Sequence, residues 1–138
     1  MNGRTCTALL MAVLLAGCSH TGQRDDDLPL PERLAKMGYR QGEAVDAIQS
    51  YRVDGWQYLD KTHILLDDGP GRAHLVTFSR PCRNLNFSNT LGFSTTVGSL
   101  TRLDRIVSRD SSGFPEHCQI GELHRLEKVP KVGADSPR

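Results

Sequence analysis

The side chains best suited to acid–base or metal chemistry lie between residues 60 and 124 of this sequence. Such groups act together when they follow the spacing of a catalytic or metal-binding motif. The chain has no HExxH, GxSxG, SxxK, GxGxxG or Walker motif. The groups are His63, His74, His117, His124, Asp60, Asp67, Asp68, Asp104 and Glu116.

Two local combinations are candidates for chemistry. His63 and His74 flank a predicted hairpin and, with Asp67, offer imidazole and carboxylate ligands that suit zinc. His117 stands beside Cys118 as a base beside a thiol, but a cysteine tied in a disulfide is not a nucleophile. Exposed histidines at strand ends are far commoner than metal ligands. We therefore predict no catalytic residue, no metal and no cofactor, and a small metal-dependent hydrolase is the enzymatic alternative.

The N-terminus is typical of a signal peptide. Arg4 precedes an uncharged, mostly apolar run over residues 6–15, which is shorter than the roughly 20 apolar residues that span a bilayer. The run ends in Leu15-Ala16-Gly17-Cys18, which looks like a bacterial lipobox. This resemblance implies cleavage after Gly17 and lipidation of Cys18. The alternative is an ordinary secretory signal that leaves Cys18 as a plain thiol.

Cysteine counting favours lipidation. Without residues 1–17 the chain keeps Cys18, Cys82 and Cys118, and an odd number would leave one thiol free in an oxidising compartment. Lipidation of Cys18 leaves Cys82 and Cys118 to form a disulfide, whose closure contributes about 3.8 kcal/mol in the loop-entropy model. In Gram-negative lipoproteins an Asp after the lipidated Cys marks inner-membrane retention. Ser19 at that position indicates the periplasmic face of the outer membrane.

Length and charge exclude other classes of protein. The chain has 138 residues, 17 basic against 16 acidic side chains and 38% hydrophobic residues. This fits one small domain with an appendage. A net charge of +1 is too small for a protein that neutralises many phosphates, so we expect no nucleic-acid partner.

The composition predicts that the chain is divided into four parts. They are a lipoprotein signal peptide (1–17), a lipidated cysteine with a flexible tether (18–43), a small β domain (44–127) and a disordered tail (128–138). The tether is polar around Asp25-Asp26-Asp27 and buries little. Within it, Pro31 favours a short helix that Gly38 ends.

Short strands dominate the β domain. Residues 47–53 and 56–59 are predicted strands around an Asp54-Gly55 turn, and residues 63–67 and 74–79 form the firmest hairpin because the loop between them is rich in turn formers. Helical turns are predicted within 83–90, and strands over 92–97, 100–108 and 118–126, with a bulge at Gly121. The predicted fold is mainly β, a small antiparallel sheet or partly open barrel with one short helix, stapled by one disulfide.

A set of short motifs spreads over residues 45–126. It comprises Gly55-Trp56 with Leu59-Asp60, Leu75-Val76, Pro81-Cys82, Leu85, Leu91-Gly92-Phe93, Asp104, Ile106-Val107 and Cys118-Gln119-Ile120. On these motifs the chain resembles a family of small Gram-negative envelope lipoproteins catalogued as a domain of unknown function. The resemblance implies an exported, disulfide-linked, mostly β domain without an established activity.

We therefore expect a membrane-anchored periplasmic lipoprotein that acts as an envelope interaction or structural module, with the membrane and an envelope protein as partners. Trp56 is weighed as an interaction hot spot against a place in the core, which is commoner for the one Trp of a small domain. The alternative is an inhibitor of a cell-wall-degrading enzyme such as lysozyme, by analogy with small lipoprotein inhibitors. Their Ser-Gly-x-x-Tyr loop is not matched at Ser112-Gly113, because the Tyr is missing.

Overall fold

One helix and nine strands make up the regular structure in the described part of the chain. The computed structural model describes residues 27–49, 53–95 and 98–131. The elements are α1 (Leu30–Met37), β1 (Tyr39–Val45), β2 (Ala47–Gln49), β3 (Gly55–Asp60), β4 (His63–Asp67), β5 (Ala73–Phe78), a 3-10 turn (Leu85–Phe87), β6 (Gly92–Phe93), β7 (Ser99–Thr101), β8 (Arg105–Arg109) and β9 (Pro115–Lys128).

The long strand β9 organises the main sheet. Its first part pairs with β8, and its later part lies between β5 and β1. The strand order is β3-β4-β5-β9-β8-β6, all neighbours are antiparallel, and β2 and β7 form a separate ladder. The sheet curls into a half-barrel. The predicted fold class is confirmed, with one short helix among the described residues and the Cys82–Cys118 disulfide.

A bulge in β9 sets which of its side chains face each side of the sheet. Thr77 is opposite Glu122 and Phe78 is opposite Ile120, so Gly121 is the extra residue, as predicted. The bulge puts Ile120 in the same core as Leu123, three residues later. A Cβ atom at position 121 would lie 3.2 Å from the Ser79 backbone nitrogen, which explains the glycine.

Both faces of the sheet are covered. Ile64, Leu66, Val76 and Leu123 belong to the larger core, on one face of the sheet. Leu65, Leu75 and Leu126 belong to a second core, which Leu34 of α1 completes. This explains the unbroken apolar run Ile64-Leu65-Leu66, because a strand buried on both faces has no polar alternation.

The folded part begins earlier in the chain than residue 44. Helix α1 has Pro31 in its first turn and ends at Gly38, whose φ of 85° is the left-handed conformation of a helix C-cap. Strand β1 follows at once and pairs with β9. Residues 30–43, which the sequence assigned to the tether, therefore form a helix and most of a strand. Their sequence is polar because only a narrow stripe, centred on Leu34, meets the sheet.

Two predicted strand arrangements are wrong. Residues 47–49 pair with β7, and Gly55 lies inside β3 opposite Asp67, so Asp54-Gly55 is not the turn of a hairpin. The predicted strand 100–108 is interrupted after Thr101. The Asp104 carboxylate accepts hydrogen bonds from the Thr101 amide and hydroxyl, both at 2.8 Å, and this local bonding makes a turn between β7 and β8.

Several predictions lie outside the described residues. They concern the signal peptide (1–17), lipidation of Cys18, and the tail beyond residue 131. The start of the predicted tail is ordered, because Lys128 ends β9 and the Val129 amide donates to the Gly38 carbonyl at 2.9 Å.

Candidate functional site

A buried carboxylate and a buried imidazole flank the turn between β4 and β5. Asp68 directly follows β4, and His74 is the second residue of β5. In the intervening loop Gly69 and Gly71 have φ values of 128° and 72°, which side-chain-bearing residues rarely adopt. The Asp68 amide donates to the Arg72 carbonyl at 3.2 Å. The glycines therefore permit a tight turn that brings Asp68 beside His74.

The Asp68–His74 pair has unmet hydrogen-bonding capacity. Asp68 Oδ1 lies 3.3 Å from His74 Nδ1, and the two residues are only 3% and 8% exposed. The contact is close enough for an ion pair but is not aligned as a hydrogen bond. Neither atom has a hydrogen-bond partner within the part of the chain that the structure describes. Such orphaned buried groups are rare in folded proteins and call for an explanation.

The pair borders a cavity of about 430 Å³. Arg72 and Arg125 are its other polar lining residues, and an aliphatic wall is formed by Val45, Ala47 and Leu126 among others. We call this cavity with its four polar residues (Asp68, His74, Arg72 and Arg125) the His74 pocket. Arg125 reaches the pocket because β5 and β9 pair with His74 opposite Arg125. Its volume is in the range of about 300–1,000 Å³ that is typical of ligand sites.

The surroundings of His74 favour its neutral form. Burial lowers the pKa of His74, and the positive charges of Arg125 and Arg72 lower it further, while Asp68 opposes them only in part. Arg72 donates to the Asp68 carbonyl at 2.9 Å, and Arg125 makes an exposed 3.2 Å ion pair with Glu43. The pocket thus presents a neutral imidazole beside one acidic and two basic side chains at neutral pH.

The opposite end of β5 and β9 carries the disulfide. Cys82 and Cys118 have Cα atoms 5.8 Å apart. The Glu116 carboxylate accepts hydrogen bonds from the backbone amides of Arg83 and Asn84 at 2.8–3.1 Å. The Arg109 amide also donates to Ser88 Oγ at 3.4 Å. These bonds fasten the segment 82–88 to the β8–β9 hairpin, and we call this region the disulfide end.

Two phenylalanines protrude from the fastened loops. Phe87 ends the 3-10 turn and is 71% exposed, and Phe114 in the β8–β9 loop is 70% exposed. The Phe114 amide donates to Asp110 Oδ1 at 2.9 Å, so the loop that carries it is internally bonded. Large aromatic side chains of this kind are normally buried and are common anchors of protein interfaces.

The comparisons with known proteins identify a family. The model described as "Family of unknown function (DUF6491)" matches residues 1–135. The chain belongs to this family. The match confirms the resemblance to a domain of unknown function that the sequence motifs indicated. For this DUF6491 chain no curated protein and no solved structure matches. In its described residues no helix is long and apolar enough to cross a bilayer.

The zinc-site hypothesis for this DUF6491 chain is wrong in its geometry. His63 is opposite Thr77 in the β4–β5 ladder, whereas His74 is opposite Leu66. Leu66, the residue opposite His74, lies three residues along β4 from His63. The two histidines are therefore offset by about 10 Å along the strands. His63 is the first residue of β4 and His74 is the second residue of β5, and positions near the starts of consecutive antiparallel strands lie toward opposite ends of a hairpin.

His63 belongs instead to a network at the β3–β4 turn. Asp60 accepts from the Thr62 amide at 2.7 Å and lies 2.9 Å from His63 Nδ1, and the Arg33 guanidinium is 3.6 Å away. Burial alone would raise the pKa of Asp60, but hydrogen bonds from His63 and Thr62 outweigh it and hold the pKa well below its usual range. Each member has partners within the turn, so the network is a structural one.

The cysteine combinations carry no free thiol. Both sulfur atoms are in the disulfide, so His117 has no thiol to activate. Cys82, Cys118 and Glu116 are the one group of three potential metal ligands found among the described residues. The disulfide occupies both cysteines, and the Glu116 oxygens accept the amides of residues 83 and 84. This group therefore does not fit a metal ion.

The sequence offered Trp56 as a possible interaction residue and did not single out Arg72 or Arg125. Trp56 lies in β3, is partly buried and packs against the larger core, which agrees with the core alternative weighed from the sequence. Arg72 was detectable as the last residue of the turn-rich loop. Arg125 was not, because its position opposite His74 depends on pairing between β5 and β9, which are far apart in the chain.

Proposed function

We propose that this chain is a lipid-anchored, non-enzymatic interaction module on the periplasmic face of the outer membrane. The sequence Leu15-Ala16-Gly17-Cys18 followed by Ser19 supports the anchor and its destination. A disulfide supports an oxidising compartment, since such bonds are rare where thiols are kept reduced.

The observation that carries the interaction role is the display of Phe87 and Phe114 at the disulfide end. Both side chains are at least 70% exposed, although the loops that bear them are fixed by a disulfide, by Glu116 and by the bond from Arg109 to Ser88. A fixed loop loses little conformational entropy on binding. Exposed aromatics on such loops are therefore suited to anchor a protein partner.

The test is crosslinking of the tagged full-length protein in living cells, followed by mass spectrometry of the captured proteins. We expect one abundant envelope partner, whose yield falls when Phe87→Ser and Phe114→Ser are combined. Leu103→Ser is the matched control, because Leu103 is a large apolar residue that is 89% exposed at the β7–β8 turn and belongs to neither of the loops that carry Phe87 and Phe114. Equal losses in both proteins, or no capture, would contradict the proposal.

The anchor is tested separately with Cys18→Ala. Loss of the acyl chains should release the protein from the membrane fraction into the periplasm, because nothing else in the proposal holds it there. Fractionation followed by detection of the tag measures the distribution. A Cys18→Ala protein that stays with the membrane would contradict lipidation at this residue.

A further inference from the structure

The His74 pocket contains two buried polar atoms that lie close together without a hydrogen bond, beneath two arginines. We propose that it binds a small amino-acid-like zwitterion, with the ammonium group on Asp68 and His74 and the carboxylate on Arg72 and Arg125. This inference goes beyond the proposed function, because it concerns a different region of the molecule and a small-molecule ligand.

The deep side of the pocket is suited to an ammonium group. Asp68 Oδ1 and His74 Nδ1 are 3.3 Å apart, are more than nine-tenths buried by residue, and lack hydrogen-bond partners among residues 27–49, 53–95 and 98–131. A neutral imidazole that carries its proton on Nε2 accepts at Nδ1, and a carboxylate oxygen accepts as well. An ammonium group has three N–H donors and can therefore satisfy both atoms at once.

The rim of the pocket is suited to a carboxylate. Each guanidinium has five N–H donors. The bond from Arg72 to the Asp68 carbonyl and the ion pair of Arg125 with Glu43 use only some of them. Both arginines are close enough to His74 for their charge to lower its pKa. A carboxylate held between two guanidinium groups is a strong, directional arrangement.

Simpler ligands fit the four side chains less well. A free anion would meet the arginines but would leave the Asp68 and His74 atoms unsatisfied next to a repelling carboxylate. A cation or metal ion would meet the positive charges of Arg72 and Arg125, and no group of three metal ligands lies in this pocket within the described residues. The aliphatic wall of Val45, Ala47 and Leu126 favours a ligand with a short apolar side chain.

Alanine and its two halves are the probes that test this. Alanine carries both charges, propionate lacks the ammonium group, and ethylamine lacks the carboxylate. Each is titrated into the full chain while the imidazole resonances of His74 are followed by NMR, with His63 as the internal control. We expect alanine to shift the His74 signals with an affinity at least about tenfold higher than either half, because each half loses a charged hydrogen-bonding group.

Two variants distinguish the halves of the site. Asp68→Asn should weaken alanine binding about tenfold and leave propionate binding unchanged or stronger, whereas Arg125→Gln should weaken both. Arg105→Gln in β8 is the matched control and should change neither. Far-UV circular dichroism verifies that each variant is folded, and the wild-type titration does not depend on any of them.

Three results would overturn the inference. They are a His74 signal that no probe shifts, propionate binding as tightly as alanine, and ethylamine binding as tightly as alanine. The result is independent of the interaction role, because partner capture at the disulfide end should be the same for Asp68→Asn and the wild type.

Discussion

The disulfide end and the His74 pocket lie toward opposite ends of β5 and β9. They differ in whether their polar side chains have hydrogen-bond partners. At the disulfide end Glu116 accepts backbone amides and the cysteines are bonded to each other, while apolar Phe87 and Phe114 face solvent. In the pocket the charged arginines are at the surface, and the buried atoms Asp68 Oδ1 and His74 Nδ1 lack a hydrogen-bond partner among the described residues. An unsatisfied buried polar group costs about 1–3 kcal/mol. We therefore expect the first region to stabilise the fold and the two unsatisfied atoms of the second region to reduce stability.

Removal of the disulfide should have the largest effect on stability. We expect Cys82→Ser to lower the free energy of unfolding by about 2–5 kcal/mol, because the crosslink no longer restricts the unfolded chain. Urea unfolding of the variant and of the wild type with and without reductant measures the change. The reduced wild type should be as stable as the variant. A variant as stable as the oxidised wild type would contradict a stabilising role for the disulfide.

Acidification should lower the free energy of unfolding through protonation of His74 in the pocket. Because the pKa of His74 is lowered in the folded state, the unfolded chain binds the proton more readily below pH of about 6.5. The contribution of His74 to the free energy of unfolding is therefore fully present above that pH and is lost as the pH drops toward the folded-state pKa. Between pH 7.5 and pH 5.5 we expect the free energy of unfolding to fall less in His74→Gln than in the wild type.

His117→Gln is the matched histidine-to-glutamine control, because His117 is exposed and lies in β9 outside the His74 pocket. Urea unfolding at both pH values measures all three proteins. If wild type and His74→Gln lose equal stability on acidification, His74 is not the group responsible.

The exposed phenylalanines should have the smallest effect on stability. Phe87→Ser and Phe114→Ser should each change the free energy of unfolding by no more than about 0.5 kcal/mol, because their side chains are already in solvent. Thermal unfolding of the purified variants measures this. A larger loss in either variant would mean that the side chain supports its loop, which would weaken the case for display to a partner.

Local signals in the sequence were sufficient for several elements. The Gly-Pro-Gly loop predicts the β4–β5 hairpin, the spacing of Ile120 and Leu123 predicts the bulge at Gly121, and cysteine counting predicts the disulfide. Each of these depends on residues close in the chain or on a rare residue type. The same reasoning places Asp68 and His74 on either side of one turn.

Pairings between distant segments were not predictable in this way. The β2–β7 ladder joins residues about 50 positions apart, and each of its strands is only three residues long. Helix α1 has a short apolar stripe, so composition alone assigned it to the tether. Arg125 joins the pocket only through the β5–β9 register. The sequence therefore places Asp68 beside His74 in the candidate ligand site but does not place Arg125 there.

The carboxylate of Glu116 should support the fold at the disulfide end, whereas the carboxylate of Asp68 should not support it in the pocket. Two matched charge removals, Glu116→Gln and Asp68→Asn, test it by urea unfolding at pH 7.5. We predict that Glu116→Gln lowers the free energy of unfolding by about 1–2 kcal/mol, because the backbone amides of residues 83 and 84 lose a charged acceptor. Asp68→Asn should leave stability within about 0.5 kcal/mol of wild type or raise it, because a buried unsatisfied charge is removed. Equal losses in the two variants would contradict the account.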